Sequence, residues 1–146
     1  MEFSESTVVS LISHLHAVTA DFTNAKLADK NLVSSHGFIL YLLSVNKTMT
    51  KTEIAEATNR DKSTTTVLIR KLIDEGLVRE DTSPMDARTK NISLTAKGRS
   101  LNKLTSSISG ELLSVCYKGF TEKEKKELLD LLLKMNANVE EALKQK

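Results

Sequence analysis

The stretch TKTEIAEATNRDKSTTTVLIRKLIDEGLVREDTSPMDARTKNISLTAKG, residues 50–98, decides the fold. Thr50-Lys51-Thr52-Glu53 fits a capping box, in which the threonine hydroxyl accepts from a first-turn N–H and the glutamate reaches back. Ile54 and Ala55 give that short helix an apolar side, and Thr58-Asn59-Arg60 reads as the turn that ends it. Asp61 is a good N-cap for a second helix running to about Glu75, with Gly76 as the residue that stops it. Residues 77–82 then read as a strand and 91–94 as its return. The polar loop between them, residues 83–90, holds the only proline, Pro84. A short helix, a tight turn, a second helix and a β-hairpin make a winged helix-turn-helix.

Outward from this centre the chain is helical. Upstream, Val8, Leu11, Leu15, Val18 and Phe22 recur at steps of three and four, an apolar stripe close to a coiled-coil seam. Phe38 to Leu43 is an apolar run that reads as a short buried helix, with a strand as the competing reading because so short a run has no decisive period. Downstream, Thr95 can cap a long helix carrying Leu101, Leu104, Ile108, Leu112 and Val115 and ending near Gly119. Thr121-Glu122-Lys123-Glu124 is a second capping box, opening a last helix with Leu128, Leu132, Met135, Val139 and Leu143 in line. The expected fold class is mainly α with a small β-hairpin wing. One domain spans residues 1–146, with the winged helix-turn-helix at about 34–98 and helical dimerisation regions at about 1–30 and 100–146.

Composition bounds the function. The 146 residues are 40% hydrophobic and 27% charged, ordinary globular values that argue against wholesale disorder. Five glycines and one proline are too few for a loop-rich all-β chain. The longest apolar run falls far short of a membrane span, and no Lys or Arg precedes Lys26 to form the basic end of a secretion signal. A cytoplasmic protein with no membrane partner is the expectation. A single Cys builds neither an intrachain disulfide nor a Cys-based zinc site.

The net charge of +2 hides two local concentrations. From Asn59 to Ile73 stand Arg60, Lys62, Arg70 and Lys71 against Asp61 alone, and from Asp86 to Arg99 stand Arg88, Lys90, Lys97 and Arg99 against Asp86. Local potential of this kind steers a polyanion more than net charge does. On a helical wheel begun at Lys62, the residues Lys62, Thr66, Arg70, Ser63 and Val67 share one face between 0° and about 140°. Thr65, Leu68, Ile69 and Leu72 lie opposite and should pack inward. The outer face suits a DNA major groove, with Lys62 and Arg70 as donors to guanine or phosphate, Ser63 and Thr66 as adaptable hydroxyls, and Val67 for a thymine methyl. Lys51 and Thr52 stand where the preceding helix can offer them to a phosphate. A polar outer face is also what any solvated helix carries. The basic loop that follows favours DNA, because Arg88 and Lys90 at the tip of a ribbon can reach a minor groove. Asp86, two residues before Arg88, can orient its guanidinium.

Ile54-Ala55-Glu56-Ala57, Asp61-Lys62-Ser63-Thr64, Leu72 to Arg79, Asp86-Ala87-Arg88 and Ile92 to Gly98 together resemble the MarR (multiple antibiotic resistance regulator) family from about Lys51 to Gly98. The most diagnostic part is the D-x-R of the wing followed by L-T-x-x-G, here Leu94-Thr95 and Gly98. The resemblance implies a homodimeric winged-helix regulator that binds a pseudo-palindromic operator in double-stranded DNA, often as a repressor released by small phenolic ligands, oxidants or metals. It also implies a recognition helix from Lys62 to Lys71, with Arg88 in the minor groove. The expected DNA-binding residues are Lys51, Thr52, Lys62, Ser63, Thr64, Thr66, Val67, Arg70, Lys71, Asp86, Arg88 and Lys90. Many members carry Arg where this helix has Val67, so base preference there does not transfer.

Other readings are weaker. His14 and His16 point about 200° apart on one helix and cannot share an ion, so no metal or cofactor is expected. Cys116 follows Val115 on an apolar stretch, where a buried, inert thiol is the default and a redox switch the alternative. The resemblance does not help the switch, since the family's thiol sensors place the reactive Cys in the first helix, which here has none. No Gly-rich phosphate loop, G-x-S-x-G elbow or H-E-x-x-H is present, so an enzyme is not expected. A winged helix that binds a protein partner would show an exposed apolar patch in place of the Lys62, Arg70 and Arg88 surface.

Overall fold

The helices begin where the capping residues stand. In a computed structural model, which describes residues 2–145, they are α1 (Val8–Leu27), α2 (Ser34–Asn46), α3 (Lys51–Thr58), α4 (Lys62–Asp74), α5 (Ala96–Cys116) and α6 (Glu122–Lys144). The Thr50 hydroxyl accepts from the Glu53 N–H at 3.2 Å while the Glu53 carboxylate accepts from the Thr50 N–H. The Asp61 carboxylate accepts from Thr64 N–H at 2.6 Å, and Thr95 Oγ1 accepts from Gly98 N–H at 3.0 Å. Each cap satisfies an N–H that the first turn of a helix cannot. The stops are equally local. Asn59 takes the left-handed conformation at φ 53° to end α3, and Gly76 does so at φ 72° after α4.

The Phe38–Leu43 run is helix. It lies within the thirteen residues of α2, longer than the apolar run itself, and only one side is covered: Ile39, Leu40 and Leu43 are buried while Phe38 and Tyr41 are exposed. His36 starts it by accepting the Val33 N–H on Nδ1 at 3.0 Å.

The wing hairpin pairs β2 (Val78–Thr82) with β3 (Lys90–Leu94), antiparallel, Val78 opposite Leu94 and Thr82 opposite Lys90. A third strand absent from the sequence reading, β1 (Thr48–Thr50), pairs with the other edge of β3, with Met49 opposite Ile92. Three residues bounded by a turn and a cap carry no detectable alternation. The sheet order is β1-β3-β2.

One core holds α2, α3, α4 and β3 together. Ile39, Leu40 and Leu43 of α2, Ile54 of α3, Ile69 and Leu72 of α4 and Ile92 of β3 are buried in it with Leu27 and Ile108. Each such side chain stabilises by about 1.5–3 kcal/mol relative to exposure. Thr65, on the inward side of α4 as its wheel position requires, is fully buried, and its hydroxyl donates to the Asp61 carbonyl. The base of the wing is locked to α5, since Thr95 donates its hydroxyl to the Gly76 carbonyl and Thr95 N–H donates to the Leu77 carbonyl. Gly98 packs so near that a Cβ there would overlap the Leu77 oxygen. The L-T-x-x-G pattern thus has a physical basis: the threonine caps α5 and ties it to the wing, and the glycine permits the approach.

The chain divides into two compact units, one ending at Leu112 and one beginning at Leu113. In the first, α1 leaves its seam uncovered, with Leu11, Leu15 and Val18 exposed. In the second, α6 has no buried residue and presents Leu128, Leu131, Leu132, Val139 and Leu143. Cys116, for which a buried site was the default, is exposed. The apolar neighbour that suggested burial, Val115, is itself 60% exposed among the described residues. No helix among the described residues is long and apolar enough to cross a membrane.

Candidate nucleic-acid interface

The first turn of α3, the first turn of α4 and the wing loop converge on one groove. Its lining consists of Thr50, Lys51, Thr52, Lys62, Arg88, Thr89 and Lys90, around a cavity of about 430 Å³. Four cations and three threonines from three elements thus meet without a carboxylate among them. Such a surface suits a phosphate backbone, because each ammonium or guanidinium placed on it replaces a condensed counterion. The fold brings together five of the expected residues, Lys51, Thr52, Lys62, Arg88 and Lys90. Thr50 and Thr89 join them, although the sequence reading did not place them among the expected DNA-binding residues. Their signal was their place, one hydroxyl at a helix cap and one between two cations of the loop.

The outward face of α4 is presented as the wheel requires. Lys62, Ser63, Thr64, Val67 and Arg70 are exposed, Val67 at 69%. Among the described residues neither Lys62 nor Arg70 makes an ion pair within 4 Å, so both remain available to an anion. Thr66 is half-buried and gives its hydroxyl proton to the Lys62 carbonyl at 2.8 Å, leaving it an acceptor towards a base edge. Lys71 lies about 180° from Lys62 on the wheel. It is not brought to the groove, and its ammonium lies 3.8 Å from Glu75.

Asp61 stabilises this helix start as a carboxylate. The Thr64 N–H bond, chiefly, holds its carboxyl below the usual range, with Ser63 adding to it. The anion satisfies the positive end of α4 from the side, while Lys62 stands beyond it without an ion-pair partner among the described residues.

In the wing, Asp86 works mainly through the backbone. One carboxylate oxygen accepts from the Arg88 N–H at 2.9 Å, and the Asp86 carbonyl accepts from the Thr89 N–H. The Arg88 guanidinium is 3.7 Å from Asp86, an ion contact longer than a hydrogen bond, and its side chain is 95% exposed. The aspartate therefore shapes the turn that carries Arg88 outward more than it pins the guanidinium. Lys90 donates to Thr82 Oγ1 at 2.8 Å across the hairpin. Lys51 is held 3.5 Å from Glu80 of β2, a pairing that local spacing in the sequence does not reveal.

Comparison with known proteins agrees with the fold. Residues 32–90 match the model of the MarR family. A MarR protein from Peptoclostridium difficile superimposes with a TM-score of 0.89 at 26% identity, covering 100% of this chain and 96% of that one. The S. aureus MepR–DNA complex matches at 0.82 and 27% identity, over 94% of this chain and 99% of that one. A MarR transcriptional regulator from Methanosarcina mazei Go1 matches at 0.86 and 23% identity, over 94% and 99%. No curated protein sequence matches the chain.

Proposed function

Because this chain carries a MarR-family winged-helix domain over residues 32–90, we propose that it is a sequence-specific DNA-binding transcriptional regulator that occupies a pseudo-palindromic operator as a homodimer. The observation that carries the reading is the convergence of Lys51, Lys62, Arg88 and Lys90 on one groove, with an exposed Arg70 on α4 that makes no ion pair among the described residues. In this reading α4 enters the major groove with Lys62, Ser63, Thr64, Thr66, Val67 and Arg70. Lys51 and Thr52 hold a phosphate, and the wing carries Arg88 towards the adjacent minor groove. The similarity to MepR, solved on DNA, supports the same docking. Lys71, turned towards Glu75, acts in the helix rather than on DNA.

The homodimer follows from the uncovered apolar faces. The α1 seam and the α6 face each expose a row of leucines or valines to solvent, and a second copy of the chain is the simplest cover. Two symmetric readers then face half-sites one helical turn apart, or a multiple of it. Repression by occupancy, in the cytoplasm, is the direction of control that needs no further contact.

The test is selection of bound fragments from a random duplex library, followed by footprinting. A recovered site with two inverted half-sites supports the reading. Recovery of fragments with no shared sequence, together with retention by a protein partner, would transfer the fold to the protein-binding class.

A further inference from the structure

We propose that Met85, at the closed end of the wing, is a specificity-determining residue that enters the minor groove beside Arg88 and selects a TpA step flanking the bases under α4. The proposal rests on the regulator reading and adds to it a residue absent from the expected DNA contacts.

The tip that carries Met85 is tied into one shape. The Ser83 N–H donates to the Thr89 carbonyl at 2.8 Å, continuing the hairpin past the Thr82–Lys90 pair. Within the loop the Met85 N–H donates to Ser83 Oγ at 3.2 Å, the Arg88 N–H to the Asp86 carboxylate at 2.9 Å and the Thr89 N–H to the Asp86 carbonyl at 3.0 Å. Pro84 fixes its own φ and restricts Ser83 before it. None of these ties uses the Met85 side chain, so replacing it leaves the loop's hydrogen bonds in place.

That side chain adds nothing to the core. Met85 is 93% exposed, the most exposed large apolar residue among the described ones, ahead of Val9 at 71%. An apolar residue standing singly on a surface is ordinary. What distinguishes this one is its place, in the same short loop as the freely exposed Arg88. It also lies outside the lining of the cationic groove, to which the wing contributes Arg88, Thr89 and Lys90. A duplex held by those cations meets Met85 at the margin of the phosphate contacts.

The minor groove suits such a residue. It is about 6 Å wide, and methionine is an unbranched, adaptable apolar chain of the kind that minor-groove proteins wedge against base steps. Two effects then choose the step. The thioether is a weak acceptor, so covering the guanine amino group strips it of water without a good replacement, which favours A·T pairs. Wedging costs least at a flexible pyrimidine–purine step. TpA satisfies both conditions.

The experiment is a selection by the full chain from duplexes with fixed half-sites and random flanks, followed by fluorescence anisotropy across a salt series on the TpA- and GpC-flanked forms of that site. The unaltered chain should enrich TpA at a symmetric flanking position. Met85→Ala should lose that enrichment and bind the TpA form about five- to tenfold more weakly, a fraction of what full burial of a methionine side chain supplies. Its salt slope should be unchanged, because an apolar contact releases no counterion, whereas Arg88→Ala should lower the slope by about one. Met85→Leu, which keeps an apolar chain, should retain the preference. The same flank selection by the unaltered chain and Met85→Ala, with specific binding intact, would overturn the role of Met85 and leave the regulator reading standing. A salt slope lowered in Met85→Ala would show the loss to lie in the cationic contacts and would likewise overturn it. An unaltered chain that binds no specific site at any salt would overturn the regulator reading, and the proposal with it.

Discussion

Thr95 donates its hydroxyl to the Gly76 carbonyl at 2.6 Å, nineteen positions away. That bond ties the end of α4 to the start of α5 at the base of the wing. Gly98 completes the joint, since any Cβ there meets the Leu77 carbonyl oxygen and the Leu94 side chain. Gly98→Ala is expected to lower stability by about 1–3 kcal/mol, the usual cost of overpacking a closed site. Urea unfolding monitored by circular dichroism measures it. Gly110→Ala, with open space around its Cβ position, should not destabilise and serves as the control.

In the DNA-binding reading proposed above, Glu80 competes with DNA for Lys51, which it pairs with at 3.5 Å. The two side chains are about one-third exposed, at 28% and 34%, so the pair is only partly screened, and an ion pair of this exposure contributes at most about 1 kcal/mol. Glu80→Gln frees the ammonium and removes an anion from beside the groove. DNA affinity should rise about two- to fivefold at low salt and the gain should fade as salt increases. Fluorescence anisotropy at two ionic strengths reads both effects.

His36 makes the fold sensitive to mild acid. Burial, and then the nearby Lys71 charge, hold its imidazole below the ordinary value of 6.5, and its Nδ1 accepts the Val33 N–H, which a protonated ring cannot do. The unfolded chain therefore binds the proton first. The contribution to stability is present in full above about pH 6.5 and is lost as pH falls from there through the folded value. His36→Gln keeps an acceptor at the third position of α2 and has no proton to take up. Its unfolding free energy should be flatter than that of the unaltered chain between pH 6.5 and about 5, above the range of ordinary carboxylates.

The α1 seam is the place to test assembly. Leu15 is 52% exposed in the single chain and lies in line with Leu11 and Val18. Leu15→Glu places a charge where a second copy is proposed to pack. Sedimentation should show a dimer for the unaltered chain and a monomer for the variant, with circular dichroism unchanged. DNA affinity should then fall steeply, because one reader loses the linked second half-site.

The parts of this molecule legible in its sequence are those that local chemistry decides. Thr50, Asp61, Thr95 and Thr121 each announce a helix start through a side chain that reaches its own first turn, and Gly76 announces a stop. The outward face of α4 follows from a period of 3.6 and needs no tertiary information. What escaped was non-local. The strand Thr48–Thr50 exists because β3 offers it an edge, the Lys51–Glu80 pair because β2 returns past α3, and the Arg60–Ser35 bond because the turn folds against α2. Each joins positions distant in sequence. Cys116 is the reverse case: its apolar neighbours in sequence suggest burial, yet it and Val115 are exposed among the described residues.

The central claim, that the α4 face and the wing read DNA, is tested most directly by measuring affinity for the selected site across a salt series with Lys62→Ala and Arg88→Ala. The expected result is a linear fall of log affinity with log salt, a smaller slope for each variant, and a loss of about 1–3 kcal/mol with relaxed sequence preference wherever the missing side chain reads a base. Identical affinity, slope and preference for the two variants and the unaltered chain would contradict it.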